Sequence, residues 1–370
     1  MTLETLFSAL QNEPRLLLNA ELQALPAGLF QPTGFPDLGH ATYIRPDKNG
    51  AIKMLLIESP QSVANRLEMA CWDYEEENLV KPLDGLPYVD VDLGNDMKTN
   101  SIIESHRLNS IYITGDSNFR NELKSKVKLH TRAKPDISSF AKAVFECDPN
   151  SIIHGLFIAR SDFFGGQARL QRLLSGSIEA MEYNRVDYGG VNNAFVDPTG
   201  VDAYARYSDL SGTDEEKKSN KKALETAKNI PYAKTEYVAQ AINAYFNLDL
   251  VSMRGYRLGE SANKLLIALS LYKILRFLKF GMKLRTRCDF ECVSLNAKRP
   301  EGMNFDQKTL LTELESTLPR LIADCEFKNP AITKITAPSL DEKALAKAKK
   351  AMKNSDKESS NDENAEENPE

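Results

Sequence analysis

The stretch ESANKLLIALSLYKILRFLKF, residues 260–280, constrains the fold most strongly because its apolar residues recur at helical spacing. Leu265, Leu269 and Tyr272 fall on successive turns of one helical face, and Gly281 follows as a typical helix end. Three basic residues interrupt the apolar run: Lys273, Arg276 and Lys279. These charges exclude a membrane span, so the stretch is predicted to be a long helix of a globular protein.

Other segments alternate between strand-like and helix-like patterns. Strands are predicted for RLLLNAELQAL (15–25), IKMLLIES (52–59), HGLFIAR (154–160) and the end of TEYVAQAINAYFNLDLV (235–251). Helices are predicted for PQSVANRLEMACWDYEEEN (60–78), NSIIESHRLNSIYI (100–113) and SSFAKAVFE (138–146). The chain has 370 residues, 42% of them hydrophobic, which is enough for a well-buried core. Strands mixed with several covering helices indicate an α+β fold.

A row of cations is predicted on the strand KLRTRCDFECVSL, residues 283–295. Period-two alternation would place Lys283, Arg285 and Arg287 on one face, about 6–7 Å apart, close to the phosphate spacing of a single strand. RRM-like folds bind RNA on an open sheet face of this kind. The alternative is a solvated edge strand, on which Lys and Arg prevent aggregation.

Charge is segregated along the chain although the net charge is only -5. The charged residues of the range 58–97 are mostly acidic, whereas those of the ranges 254–299 and 98–134 are mostly basic. The net charge argues against a uniformly basic nucleic-acid binder, but one basic face would suit a polyanion on one side. The alternative is that these charges simply solvate helices.

The stretch SDFFGGQARLQRLL, residues 161–174, is a second candidate for RNA contact. Phe163 and Phe164 stand beside a flexible double glycine, and three arginines surround them: Arg160, Arg169 and Arg172. Aromatic rings can stack on bases while arginines follow the backbone. The two phenylalanines could equally be core residues beside a turn.

The stretch QPTGFPDLGHATY, residues 31–43, holds two prolines and two glycines around Asp37. Proline fixes φ and glycine permits φ values closed to other residues, so neither regular helix nor long strand fits. A shaped loop is predicted, by default a structural crossover between strands.

Catalysis and metal binding have little support in the sequence. The four histidines are far apart, and no HExxH, GxSxG or Walker motif is present. Five cysteines form no CxxC pair and fit free thiols in a reducing cytoplasm, and Cys288 with Cys292 lacks a second ligand pair for zinc. We expect no catalytic residue, no metal and no cofactor.

Four stretches, in this order, carry a family resemblance: QPTGFPDLGHATY, LLIESPQSVANRLE, ESHRLNSIYI and FGMKLRTRCDFE. They resemble the Csb-one group of CRISPR-associated RAMP proteins, the Cas-seven type backbone subunit of type I-U, or I-G, Cascade complexes. DPNSIIHGLFIA and IPYAKTEYVAQAINAYFNLDL resemble further blocks of that group. The resemblance runs from about Asn19 to Cys292.

The resemblance implies a modified RRM or ferredoxin-like core with palm, fingers and thumb elements. It implies a cytoplasmic, non-catalytic subunit that binds guide RNA (crRNA) and stacks head to tail in several copies, so that the guide pairs with target DNA. Further implied partners are the other Cascade subunits, namely the Cas-five and Cas-six types and the large subunit. No membrane partner is implied.

This interpretation divides the chain into a RAMP domain, residues 1–338, and a charged tail, residues 339–370. The last fifteen residues hold seven acids and no large apolar side chain, which predicts disorder. A polar break at 209–222 lies within the candidate thumb loop, about residues 187–235.

RNA contacts are predicted on physical grounds at basic and polar residues that are expected to be exposed. They are Arg66, His106, Arg107, Asn109, Arg160, Arg169, Arg172, Arg254, Lys283, Arg285 and Arg287.

Three alternatives stay open. The first is a RAMP endoribonuclease that processes guide RNA, with His154 or His106 as general base. The second is cleavage of target RNA with Asp37. The third is a general single-stranded RNA-binding protein that takes any RNA.

Overall fold

The computed structural model describes residues 2–35, 39–48, 50–130, 134–191, 231–303 and 306–337. The chain forms two compact units. The first comprises Met1–Ala70, Leu174–Asp249 and Leu271–Thr312. The second comprises Cys71–Leu173, Leu250–Ser270 and the chain from Glu313, described as far as residue 337.

The strands of the described residues are as follows. They are β1 (Arg15–Leu25), β2 (Gly34–Phe35), β3 (Gly39–His40), β4 (Thr42–Asp47), β5 (Gly50–Glu58), β6 (Trp72–Asp73), β7 (Asn78–Leu79), β8 (Val89–Gly94), β9 (Met97–Asn100), β10 (Leu156–Ile158), β11 (Ala168–Leu170), β12 (Leu174–Val191), β13 (Pro231–Asp249), β14 (Lys283–Arg285), β15 (Cys288–Arg299) and β16 (Thr333–Thr336).

The helices of the same residues are α1 (Leu3–Leu10), α2 (Pro60–Met69), α3 (Ile111–Thr114), α4 (Ser117–Ser125), α5 (Ile137–Cys147), α6 (Pro149–His154), α7 (Leu250–Gly255), α8 (Glu260–Phe280) and α9 (Gln307–Ala323). Within the described ranges, none of these helices is both long enough and apolar enough to cross a membrane.

The first unit is built on a seven-stranded antiparallel sheet in the order β14-β15-β1-β13-β12-β5-β4. Along β1 every second residue is buried, from Leu16 to Ala24, and the same alternation runs along β13 from Ile242 to Leu248. The register pairs Ala20 with Ala244, so the two buried rows share one face. Each fully buried aliphatic side chain of such a face contributes roughly 1.5–3 kcal/mol, which makes this face the core of the unit.

Helix α2 packs on β12 at Gly176. A Cβ atom at this glycine would lie 3.1 Å from Val63 Cγ1 and 2.8 Å from the carbonyl oxygen of Tyr245. Ser59 caps the helix by accepting from Ser62 N–H, and Pro60 occupies its first turn, where no donor is needed. Gly176 therefore sets the close approach of α2 to the sheet.

The second unit combines helices with small sheets. β16, β8 and β9 form a three-stranded sheet, in which β16 runs parallel to β8, and β10 pairs with β11 as an antiparallel hairpin. Helix α5 begins after Asp136, whose carboxylate accepts from Ser139 N–H at 2.8 Å. Its buried face includes Phe140, Val144 and Phe145.

The α+β prediction is confirmed, and so are the strands β1 and β5 and the helices α5 and α8. The helix predicted over residues 60–78 is confirmed only as far as Met69, because the chain after it turns into β6 and β7. Helix α8 covers Glu260–Phe280 as predicted, and the N–H of Gly281 closes it on Phe277. The prediction of a helix over residues 100–113 is wrong, because this stretch forms turns followed by a short 3-10 helix and α3. Lys273 is only 1% exposed, so not every charge that interrupts α8 is solvated.

Candidate nucleic-acid interface

The predicted RNA-contact residues fall into both units. The first unit holds Arg66, Lys283, Arg285 and Arg287. The second holds His106, Arg107, Asn109, Arg160, Arg169, Arg172 and Arg254. The two sets are described separately.

The predicted row of three cations on one strand is wrong. β14 ends at Arg285, and the chain turns back through Thr286 and Arg287 so that Lys283 pairs with Asp289 and Arg285 with Cys288. Arg287 has φ +60, a left-handed conformation that ends strand alternation. Lys283 is exposed, whereas the two arginines are half-buried and paired.

Arg66 and Arg285 converge on one buried carboxylate. Glu58 is 1% exposed, and its Oε1 accepts from Arg66 Nη2 at 3.2 Å and also from Arg285 Nη2. Two guanidinium groups on one carboxylate leave a local excess of one positive charge. Both arginines therefore stabilise the folded structure by pairing with Glu58. RNA could be attracted by the excess positive charge of the cluster, but neither side chain is free to bind it.

Arg287, two residues after Arg285, forms a second cluster. Its Nε and Nη2 donate to the two oxygens of buried Glu236 at 2.8 and 2.9 Å, and Lys234 Nζ lies 3.1 Å from Oε1. The bidentate bond with Arg287, helped by Lys234, lowers the pKa of Glu236 to about 2. This cluster also carries one net positive charge.

The Pro/Gly-rich loop is anchored at both ends. The N–H and C=O of Phe30 bond to Tyr237 at 2.9 and 2.8 Å, and Gln31 N–H donates to Arg287 O at 2.7 Å. At the other end, His40 Nδ1 lies 3.1 Å from the Tyr237 hydroxyl. Between them β2 pairs with β3, so the predicted shaped loop is a small hairpin, whereas Asp37 lies outside the described residues.

The long hairpin β12–β13 brings aromatic and basic side chains next to the Glu236 cluster. Across the hairpin Tyr188 pairs with Lys234, Arg185 with Tyr237, and Gly190 with Tyr232. Tyr188 and Tyr232 are exposed, and so is Arg185, which pairs with Asp187 at 2.8 Å. Sequence reasoning missed these residues, although the aromatic and charged pattern of MEYNRVDYGG (181–190) was the available signal.

In the second unit, the predicted contacts differ strongly in exposure. His106 is exposed and Asn109 is half-buried, but Arg107 is only 5% exposed. Arg160 is paired with Asp162 at 3.0 Å. Arg172 is half-buried and donates to the His154 carbonyl at 3.3 Å, and Arg254 is half-buried as well. Of this set, His106 and Arg169 are the exposed members.

The FFGG segment does not present its aromatic rings as predicted. Phe163 is fully buried and contacts the Phe140 ring at 6.3 Å between centroids. The exposed ring is instead Phe157 on β10, which is 52% exposed and lies directly opposite Arg169 on β11. Sequence reasoning treated the HGLFIAR strand as structural and did not consider Phe157.

Comparison with known proteins places this geometry in a family context. Residues 16–185, somewhat less than half of the chain, match the sequence model of the family "CRISPR-associated protein GSU0053". No curated protein matches the chain.

Two solved structures resemble the chain weakly. The Csc2 crystal structure from Thermofilum pendens is 11% identical, with a TM-score of 0.29 over 85% of this chain and 77% of Csc2. A chain of the structure titled "CRISPR RNA-guided surveillance complex, pre-nicking" is 10% identical, with a TM-score of 0.35 over 91% of this chain and 99% of that one. The match to the family model runs from β1 into β12.

Proposed function

We propose that this protein binds guide RNA as the backbone subunit of a CRISPR interference complex of type I-U, or I-G. The family match over residues 16–185 carries the proposal. That range contains the Pro/Gly-rich loop, Glu58 with its partner Arg66, and most of β12.

The chemistry at the end of β12–β13 supports this function. Exposed Tyr188 and Tyr232 lie in the same part of the hairpin as Arg185 and Lys234, and the Glu236 cluster there carries an excess positive charge. Such a surface suits a sugar-phosphate backbone with stacked bases and offers little base-specific readout. A guide-binding subunit needs this combination because sequence is read by base pairing with the target.

The partners in this proposal are crRNA, target DNA paired with the guide, further copies of this chain in a head-to-tail filament, and the Cas-five, Cas-six and large subunits. Head-to-tail contacts are heterologous and do not close, so the number of copies follows the guide. The proposed place of action is the cytoplasm.

The proposed domain layout keeps one RAMP domain over residues 1–338 and a tail over 339–370, which lies outside the described residues. The thumb is placed at about residues 187–235. β12 ends at Val191 and β13 begins at Pro231, so the proposed thumb takes in the ends of both strands and the segment between them, which includes 209–222. That segment is also outside the described residues.

We propose a non-catalytic role. His154 is 1% exposed, which disfavours it as a general base for RNA cleavage, because a base must reach the 2′-hydroxyl. Among the described residues no cluster of His, Cys, Asp and Glu could hold a metal ion. The other candidates are an endoribonuclease that processes guide RNA with exposed His106 as its base, a target-RNA nuclease that uses Asp37, and a general single-stranded RNA binder.

The test is to purify the protein after expression with and without a CRISPR array and its partner subunits, and to measure particle mass and bound RNA. We expect guide-length RNA in an elongated particle only with the array. The double variant R185E/K283E changes two exposed cations and should lose that RNA, whereas K308E on α9 should keep it. An RNA-free monomer in both preparations, or RNA of every length, would contradict the proposal.

A further inference from the structure

A cavity of about 600 Å³ opens in the second unit beside the β10–β11 hairpin. Its walls come from the start of α5, from β11 and the residues flanking it, and from α7 with Tyr256. The volume falls within the range of pockets that hold small organic groups.

One side of the cavity is apolar and held in place. It is lined by Pro135, Ile137, Phe140 and Tyr256. The Tyr256 hydroxyl donates to the Gln171 carbonyl at 3.1 Å, and the Tyr256 carbonyl accepts from Ser138 Oγ at 2.9 Å. The first bond holds the ring and the second holds the backbone of Tyr256, so the ring offers a fixed, flat wall.

The opposite side presents three polar side chains in a row. Ala168 and Leu170 of β11 are buried, so Gln167, Arg169 and Gln171 all project from the other face of the strand. Within the described part of the chain, the side chains of these three residues have no hydrogen bond or ion pair. Their donors and acceptors are therefore available to a ligand.

The cavity favours an anionic ligand. Among the residues that the structure describes, its charged lining residues are Lys134 and Arg169, and no Asp or Glu lines it. The nearest carboxylate along the chain, Asp136, is occupied as the N-cap of α5 through Ser139. Phe157 lies directly opposite Arg169 and exposes a ring at the rim, where a second flat group could stack.

We propose that this cavity binds one unpaired base of a single-stranded nucleic acid. The base fits between the apolar wall and the amides of Gln167 and Gln171, which can donate to and accept from a base edge. Arg169 and Lys134 neutralise the adjoining phosphates, and the neighbouring base stacks on Phe157. The inference goes beyond the guide-backbone role because it assigns a base site in the second unit, apart from the hairpin end described above.

The test measures fluorescence anisotropy of labelled RNA tetranucleotides, A4 and U4, against an abasic tetranucleotide with the same number of phosphates. We expect the tetranucleotides with bases to bind at least about tenfold more tightly than the abasic one. R169A and F157A should each weaken that binding by about tenfold, and K308A, which removes an exposed cation elsewhere, should leave it unchanged. Melting curves that match wild type establish that the variants are folded.

Equal binding of the abasic tetranucleotide would overturn the proposal in favour of simple phosphate attraction. Equal binding of R169A and wild type, or no binding of any tetranucleotide, would overturn it too. Displacement by a tetraglutamate peptide as readily as by unlabelled RNA would instead assign the cavity to a peptide. Guide-RNA retention by R169A is measured in parallel, so a failure of this site is distinguished from a failure of the backbone function.

Discussion

The backbone N–H of Gln31 donates to the carbonyl oxygen of Arg287 at 2.7 Å. Arg285 completes the contact by donating to the Gln31 carbonyl at 3.3 Å. The start of the Pro/Gly-rich loop is thus fastened to the turn between β14 and β15, far away in the chain. Arg285 and Arg287 therefore stabilise the loop and pair with two buried carboxylates.

This arrangement predicts that the three cations of residues 283–287 respond differently to charge reversal. K283E changes an exposed side chain and should leave the melting temperature unchanged while weakening RNA binding. R285E places a second carboxylate against buried Glu58 and should lower the free energy of unfolding by about 2–4 kcal/mol. The loss is expected to be smaller than for a fully buried ion pair, because Arg285 is partly exposed. Thermal denaturation beside RNA filter binding measures both effects, and wild-type stability of R285E would contradict the assignment.

Glu236 predicts a loss of stability in acid. Arg287 and Lys234 hold the pKa of this buried carboxyl at about 2, whereas its ordinary value is 4.5. The unfolded chain therefore takes up the proton first as pH falls, so the contribution of Glu236 is complete above about pH 4.5 and is lost towards pH 2. In urea unfolding, E236Q should be less stable than wild type at pH 7, and the difference should shrink below pH 4.5.

The control for that experiment is E291Q, which changes an exposed carboxylate on β15. It should leave the pH profile of the free energy of unfolding unchanged. A constant difference between wild type and E236Q from pH 7 to pH 3 would refute the role of the Arg287 pair.

The close contact at Gly176 predicts that a side chain at this position would prevent α2 from packing against β12. A Cβ there would lie 2.8 Å from Tyr245 O and 2.9 Å from a Phe246 ring carbon. Overpacking of this kind costs about 1–3 kcal/mol, so G176V should lower the denaturation midpoint. G255A is the matched control, since nothing lies within 4 Å of its Cβ position; equal midpoints for the two variants would be the contrary result.

The burial of the cysteines predicts slow thiol–disulfide exchange in the native protein. Burial raises the pKa of Cys288 to about 12 and of Cys325 to about 11, and it also raises the pKa values of Cys147 and Cys292. The thiolate is the reactive form, so Ellman's reagent at pH 7.5 should react slowly with the native chain. In guanidinium, where the chain is unfolded, all five cysteines should react. Rapid reaction of one cysteine per chain in the native protein would contradict the prediction.

Local patterns were enough to predict the regular elements. Apolar spacing and Gly281 delimit α8, and strict alternation marks β1, because both signals depend on neighbours within a few residues. The break at residues 31–43 was predicted for the same reason, since proline and glycine restrict or free the backbone locally. Alternation misled at residues 283–287, because Arg287 adopts a left-handed conformation without a glycine to signal the turn.

The sequence by itself determined the α+β class, the main helix and the anchored loop as an irregular element. Only the tertiary structure decided which cations are occupied, since Glu58 and Glu236 reach their arginines across strands rather than along the chain. It also decided that Phe163 is buried while Phe157 is exposed, because the face of a strand that packs against the core depends on what lies over it. Local periodicity reports how a segment folds, whereas burial and charge pairing arise from residues that meet only when the chain is folded.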